Sequence, residues 1–310
     1  MTHKLALVGI GKIARDQHVP ALTKNSNFEL AATASRNASI DGVEAFSDLA
    51  SLLDARPDIT CVSLCTPPQF RYRDAQLALG AGKHVMLEKP PGATLSEVHN
   101  LVGLAESSDV TLYASWHSRH AAAVNAVAAW LRDKTLRKLE VCWKEDVRYW
   151  HPGQEWIWEA GGLGVFDPGI NALSILTAIL PQPVHLKQAT LSFPANRDTP
   201  ISAELNFYEH GGASVTASFD WLNEGSPEWD IHISTLEGDA LLRAGGGEFL
   251  IGGAPVNLGS DAMQGEYPSL YQQFAELLAE QKSDVDLAPM RHVADAFAIA
   301  RRINAPAFYW

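Results

Sequence analysis

The chain has 310 residues, and at roughly 150 residues per domain this length predicts two domains. Hydrophobic residues make up 46% of it and charged residues 19%, a globular balance that excludes a mainly disordered chain. With 24 Lys and Arg against 36 Asp and Glu, the formal charge of −12 argues against nucleic acid or an anionic membrane as partner, because both demand a basic face.

Residues 4–8 form a short apolar run that ends in Gly9-Ile10-Gly11, and a helical pattern starts at Lys12. Residues 28–35 read as a strand, and Ser47 as the cap of a helix over 48–55. The largely apolar run 59–64 predicts a strand buried on both faces, ended by Thr66-Pro67-Pro68. A helix over 73–81 leads to a strand at 84–87, broken by Lys89-Pro90-Pro91-Gly92. Ser96 is the expected cap of a helix to about 106, followed by a strand at 111–114. This rhythm predicts a parallel sheet with right-handed crossovers.

After Trp116 the pattern changes. A helix is expected over 121–132, a long strand over 136–149 and a helix over 172–180. Extended segments at 186–193, 201–208, 213–220, 230–235, 240–243 and 248–251, several separated by glycine turns, predict an antiparallel sheet. A last helix over 288–303 is expected to pack back on the first domain. The predicted domains are 1–118 and 119–310.

No apolar run approaches the ~18 residues of a membrane span. The run after Met1-Thr2-His3-Lys4 lacks the features of a secretory signal, so a cytoplasmic protein is expected. In a strand, Cys61 and Cys65 would lie about 13 Å apart, beyond the ~7 Å limit for a disulfide. Cys142 stands alone and no pair has metal-finger spacing, so reduced thiols and no metal are expected.

Gly9-Ile10-Gly11-Lys12-Ile13-Ala14 follows a strand and opens a helix. The first glycine permits the turn, and the second lets backbone approach a pyrophosphate seated on the helix N-terminus. Ala14 takes the third glycine position, where it affects only helix–strand packing. In this context the motif predicts dinucleotide binding, with Gly9, Gly11, Lys12 and Ile13 as contacts. The second strand ends Ala34-Ser35-Arg36-Asn37, with serine where an NAD enzyme carries the ribose carboxylate. Ser35 and Arg36 suit a 2′-phosphate, so NADP is the expected cofactor, with NAD also accepted. Thr66 and Pro67, at another strand end, are further candidate contacts.

Glu88-Lys89-Pro90 also closes a strand. In open α/β sheets ligands bind beyond the carboxyl ends of the strands, so Lys89 is expected to face the nicotinamide, with Glu88 beside it. His117, after the next strand, is placed beside the nicotinamide or the substrate, or is structural.

Together with Gly161-Gly162 and Asp167-Pro168-Gly169-Ile170-Asn171, these motifs resemble the glucose-fructose oxidoreductase / inositol dehydrogenase family of NAD(P)-dependent sugar oxidoreductases. The resemblance spans nearly the whole chain. It implies an α/β Rossmann domain followed by an α+β domain with a large open, mostly antiparallel sheet. It also implies a catalytic Lys89, in a Lys-Pro peptide that is commonly cis. The segments Trp116-His117-Ser118-Arg119, Lys144-Glu145-Asp146-Val147-Arg148 and Trp150-His151-Pro152-Gly153-Gln154 are similar to the bacterial branch acting on L-arabinose and D-galactose at C1. An aldopyranose substrate follows from that likeness, with a lean towards L-arabinose. The family usually carries a histidine where this chain has Asn171. A neutral amide exchanges no proton near neutral pH, which leaves Asp167, Lys89 or a relay through both as the base.

Four of the nine tryptophans fall between Trp143 and Trp158, interleaved with charged residues. Aromatic planes cover the C–H faces of sugars and charged groups bind their hydroxyls. An interface could use the same mixture. Glu145, Trp150 and His151 are the expected sugar contacts, with Trp229 closing the pocket, and Lys89, Asp167 and Asn171 are the catalytic candidates. The expected activity is oxidation of the anomeric carbon to the aldonolactone. The alternatives are a sister oxidoreductase on a polyol or dihydrodiol, or a cofactor-binding regulator. A broad sheet must cover its second face, so a homodimer or larger assembly is expected.

Overall fold

The computed structural model describes residues 2–259 and 265–310. It divides into two compact units, Met1–His117 with Glu266–Asp286, and Ser118–Gly265 with Leu287–Trp310.

The first unit is built on a parallel sheet of β1 (His3–Val8), β2 (Phe28–Ala34), β3 (Glu44–Phe46), β4 (Cys61–Leu64), β5 (His84–Glu88) and β6 (Leu112–Ser115). The order β3-β2-β1-β4-β5-β6 is that of a Rossmann fold, and it reverses direction beside β1. Helices α1 (Val19–Thr23), α2 (Leu49–Ala55), α3 (Pro68–Gly80) and α4 (Leu95–Ser107) connect the strands. Ala6 and Val8 join one apolar cluster with Val62, Leu64, Val85 and Leu101. Leu5 and Leu7 join another with Met86, Tyr113 and the Glu266–Glu280 helix. The alternation along β1 thus supplies both sheet faces.

Two caps differ from the expected ones. Asp48, not Ser47, caps α2: its carboxylate accepts the Ser51 N–H at 2.9 Å, and Ser47 donates its hydroxyl to that same side chain. Thr94, not Ser96, caps α4, because Glu97 reaches back to the Thr94 N–H and closes a capping box.

The second unit holds a mixed, largely antiparallel sheet. Its strands are β7 (Leu136–Lys144), β8 (His185–Pro194), β9 (Ser202–Tyr208), β10 (Ser214–Asp220), β11 (Glu228–Thr235), β12 (Gly238–Arg243), β13 (Glu248–Ile251), β14 (Ala254–Pro255) and β15 (Arg301–Ala305). The order is β14-β13-β12-β11-β7-β10-β9-β8-β15, and the β7–β10 and β8–β15 pairs are parallel. Helices α5 (Val124–Leu131), α6 (Val147–Trp150) and α7 (Phe166–Ile179) belong to this unit. Leu139, Val141 and Trp143 on β7 and Val215, Ala217 and Phe219 on β10 are buried, whereas the residues alternating with them are at most half-buried.

The strand expected over 136–149 stops at Lys144. Asp146 accepts the Arg148 N–H at 2.8 Å, and this side-chain cap turns Val147–Trp150 into a helical turn. The helix expected over 288–303 ends at Ile299, where Ala300 is extended, and Arg301–Ala305 pairs with β8 instead. That helix belongs to the second unit. It packs within the second on α7 and β8, with Phe297 against Phe166 at 5.7 Å between ring centroids. The segment that returns to the first unit is Glu266–Asp286. Among the described residues no helix is long and apolar enough to cross a membrane.

Candidate active site

In the first unit the candidate cofactor residues gather at the carboxyl ends of β1, β2, β4 and β5. Gly9 has φ +85°, and a Cβ on it would stand 2.8 Å from the Thr66 nitrogen, so the turn after β1 demands glycine. A Cβ on Gly11 would meet no atom of the described residues within 4 Å. Protein packing therefore does not dictate this second glycine, and the open space beside it suits a phosphate brought close to backbone. Thr66 Oγ1 is buried with no hydrogen-bond partner among the described residues, a second feature that fits a bound dinucleotide. Lys12 and Ile13 are exposed on the helical segment that follows, and Lys12 pairs with Asp16 one turn on. Ser35 is half-buried and Arg36 exposed just past β2. Pro67 opens α3.

Glu88, at the end of β5, is 4% exposed and engaged through both oxygens. Oε2 accepts the Lys89 backbone N–H at 2.8 Å. Oε1 accepts the Tyr267 hydroxyl at 2.7 Å and lies 3.0 Å from His18 Nε2. The other His18 nitrogen is 2.8 Å from the Tyr271 hydroxyl. Burial opposes ionisation of Glu88, but the hydrogen bond and charge of His18 dominate and hold its carboxyl down to about 2. Burial likewise opposes a charge on His18, but Cys65, Tyr271 and Glu88 together push it well above its ordinary value. The two form a buried ion pair. Arg71 on α3 donates to the carbonyls of Thr66, Glu88 and Pro90 and so ties down both ends of the cis Lys89-Pro90 turn. His117 Nδ1 lies 2.7 Å from Glu266, and its ring stacks on Tyr267.

In the second unit Glu145 immediately follows β7 and is 4% exposed. Its oxygens accept the indole N–H of Trp229 at 2.9 Å and that of Trp221 at 3.3 Å. His151 Nε2 lies 3.8 Å from Glu145 and 3.7 Å from Asp167, which is buried in the first turn of α7. Asn171 is one turn further along the same helix. Trp150 packs on Trp229 at 5.0 Å between centroids yet remains 39% exposed. The α6 turn brings Trp150 and His151 round to Glu145, which a continued strand would not do.

Glu145, Trp150, His151, Asp167 and Trp229, picked separately from the sequence, thus lie together. Sequence reasoning missed Trp221, His18, Arg71, Tyr267 and Tyr271. The available signals were a histidine and an arginine at positions that fold into the interior, and two tyrosines four apart on one helical face.

A model of the oxidoreductase family with an NAD-binding Rossmann fold matches residues 3–115. Galactose 1-dehydrogenase of Pseudomonas fluorescens is 42% identical over 306 residues, covering 99% of this chain and 98% of that protein. The crystal structure of a D-galactose-1-dehydrogenase protein from Rhizobium etli superposes with a TM-score of 0.95 at 54% identity, covering 99% of this chain and 98% of that one. A 3-ketoreductase from Actinomadura kijaniata in complex with NADP shares the fold, with a TM-score of 0.82 at 17% identity over 99% of this chain and 100% of that one. With Rossmann strand order, dinucleotide-type glycine turn and full-length relatives in agreement, the chain belongs to the glucose-fructose oxidoreductase / inositol dehydrogenase family of oxidoreductases.

Proposed function

We propose that the chain is an NADP-dependent aldose 1-dehydrogenase, also accepting NAD, that oxidises the anomeric C1–OH of D-galactopyranose and L-arabinopyranose to the aldonolactone. The observation that carries this reading is the Glu145–His151–Asp167 group, in which one imidazole lies within 3.8 Å of two buried carboxylates. Indoles of Trp150, Trp221 and Trp229 adjoin it. Charged groups beside indole faces are what a ring of hydroxyls with an apolar C–H face requires. Similarity to two galactose 1-dehydrogenases over nearly the whole chain supports the same substrate class. Ser35 and Arg36 in place of a carboxylate support NADP.

Oxidation removes a hydride from C1 and a proton from its hydroxyl. A bound nicotinamide would supply the hydride acceptor. Lys89 donates a hydrogen bond to the C1 oxygen and stabilises negative charge on it as the carbonyl forms. Glu88 acts through Lys89, since its own oxygens are engaged within the protein. Asp167 takes the hydroxyl proton, and Asn171, a neutral donor and acceptor, orients neighbouring hydroxyls. Glu145 accepts from ring hydroxyls, held in place by two indole N–H groups.

D-Galactose and L-arabinose share the configuration at C2, C3 and C4, whereas D-glucose and D-xylose are epimeric at C4. An epimer leaves one buried partner unpaired at ~1–3 kcal/mol or more, and since about 1.4 kcal/mol is tenfold, kcat/KM for glucose and xylose is expected to be ~10-fold lower or more. Turnover of these four sugars with NADP and NAD tests the proposal, and a preference for glucose or xylose overturns it.

A further inference from the structure

We propose that Cys142, Glu228 and His232 form a binding site for a zinc-like divalent cation on the polar face of the β7–β11 pair. One ligand atom from each of the three, a thiol sulfur, a carboxylate oxygen and an imidazole nitrogen, all lie within 4.8 Å of one another. Strand pairing explains the convergence. Cys142 on β7 stands opposite Asp230 on β11, and Glu228 and His232 lie two residues to either side of Asp230. The side-chain period of a strand puts all four on one face. Local spacing contains no metal motif because the ligands come from strands distant in sequence.

The required movement is small. A tetrahedral ion with bonds of about 2.0–2.3 Å holds its ligand atoms roughly 3.3–3.7 Å apart, so side-chain rotation alone closes the set. The backbones are already fixed by the ladder between the strands. Two further carboxylates favour a cation, Glu140 paired opposite His232 and Asp230 opposite Cys142, and the ion takes Glu228 from Lys144, whose ammonium lies 3.6 Å from it. A thiolate with an imidazole selects zinc or cobalt over magnesium or calcium, which take oxygen ligands. Three protein ligands leave one position for water.

The site is independent of the sugar cluster. Trp143 and Trp229, also paired in the β7–β11 ladder, alternate with these residues and point to the other face. A bound ion would cross-brace the two strands from behind.

The test is a titration of the EDTA-treated full-length protein with Co²⁺. One ion per chain is expected, with a thiolate-to-cobalt charge-transfer band in the near ultraviolet. Cys142→Ser should abolish the band, and Glu228→Gln and His232→Ala should each weaken binding at least ~10-fold. In the unsubstituted protein, Zn²⁺ should protect Cys142 from iodoacetamide, read by peptide mapping, and leave labelling of Cys65 unchanged. This arm does not depend on the folding of any variant. Absence of the band, its survival in Cys142→Ser, wild-type affinity in the Glu228 and His232 variants, or unprotected Cys142 overturns the proposal.

Discussion

The Glu88 carboxylate is shared between His18, whose Nε2 lies 3.0 Å away, and the backbone N–H of Lys89 at 2.8 Å. A buried cation is thereby joined through one side chain to the residue proposed to contact the reacting oxygen. Breaking such a pair by removing one partner costs about 3–5 kcal/mol.

Glu88→Gln should therefore destabilise the protein, with a distinctive pH dependence. The Glu88 carboxyl is held below its ordinary value of 4.5, so its contribution is complete above pH 4.5 and is lost as pH falls towards about 2. His18 is raised above its ordinary value of 6.5, so its contribution is complete below pH 6.5 and is lost as pH rises through the folded value. The stability gap between wild type and variant, measured by urea unfolding across pH, should be widest between these limits. A gap independent of pH would contradict the ion pair.

Gly9→Ala and Gly11→Ala should separate folding from cofactor binding. Alanine at Gly9 carries a left-handed penalty of ~1–2 kcal/mol and meets the Thr66 backbone, so the melting temperature should fall. Alanine at Gly11 meets no atom of the described residues, so stability should hold. Cofactor affinity should then drop by ~10-fold or more, about 1.4 kcal/mol. Calorimetry with and without NADP reads both effects.

Lys89→Met keeps side-chain bulk and removes the cationic donor. A loss in kcat of at least ~100-fold is expected, the cost of deleting an oxyanion donor, with cofactor affinity unchanged. Steady-state turnover and NADP fluorescence titration check the two halves, and near-normal turnover would reassign the role.

Glu145→Gln leaves one of the two indole N–H groups facing an amide NH₂. An unsatisfied buried donor costs ~1–3 kcal/mol. KM for D-galactose should rise at least ~10-fold while the NADP dissociation constant stays put. An unchanged KM would make the cluster purely structural.

Ser35→Asp should turn preference from NADP towards NAD, because a carboxylate accepts from the ribose diol and repels a 2′-phosphate. Specificity constants for both cofactors before and after decide it. A wild-type enzyme that already prefers NAD widely would refute the reading of Ser35 and Arg36.

What was legible in the sequence was mostly local. The largely apolar runs of β1, β4 and β5 and the glycine turn announce a parallel sheet, because a strand buried on both faces is mostly apolar. The extended segments of the second unit were visible through alternation. Less legible were features decided by one side chain or by distant packing. Asp146 diverts the chain after β7 through a single hydrogen bond. The buried partners of Glu88 come from Tyr267 and His18, far away in the chain. Trp221 gave no signal, since the pattern of a strand end does not reveal which indole nitrogen meets a carboxylate.

The return of Glu266–Asp286 to the first unit has a consequence for synthesis. Tyr267, Leu270, Tyr271 and Phe274 complete the cluster around Leu5, Leu7 and Phe28, and Phe28 stacks on Phe274 at 5.5 Å between centroids. A nascent chain that has just released residue 117 therefore exposes an apolar sheet face and leaves His18 and Glu88 without their tyrosines. It must wait for the whole intervening segment, residues 118–265, to be translated before that face is covered. At ~5–20 residues per second this delay lasts many seconds, and during it the open face is a natural target for a holdase chaperone.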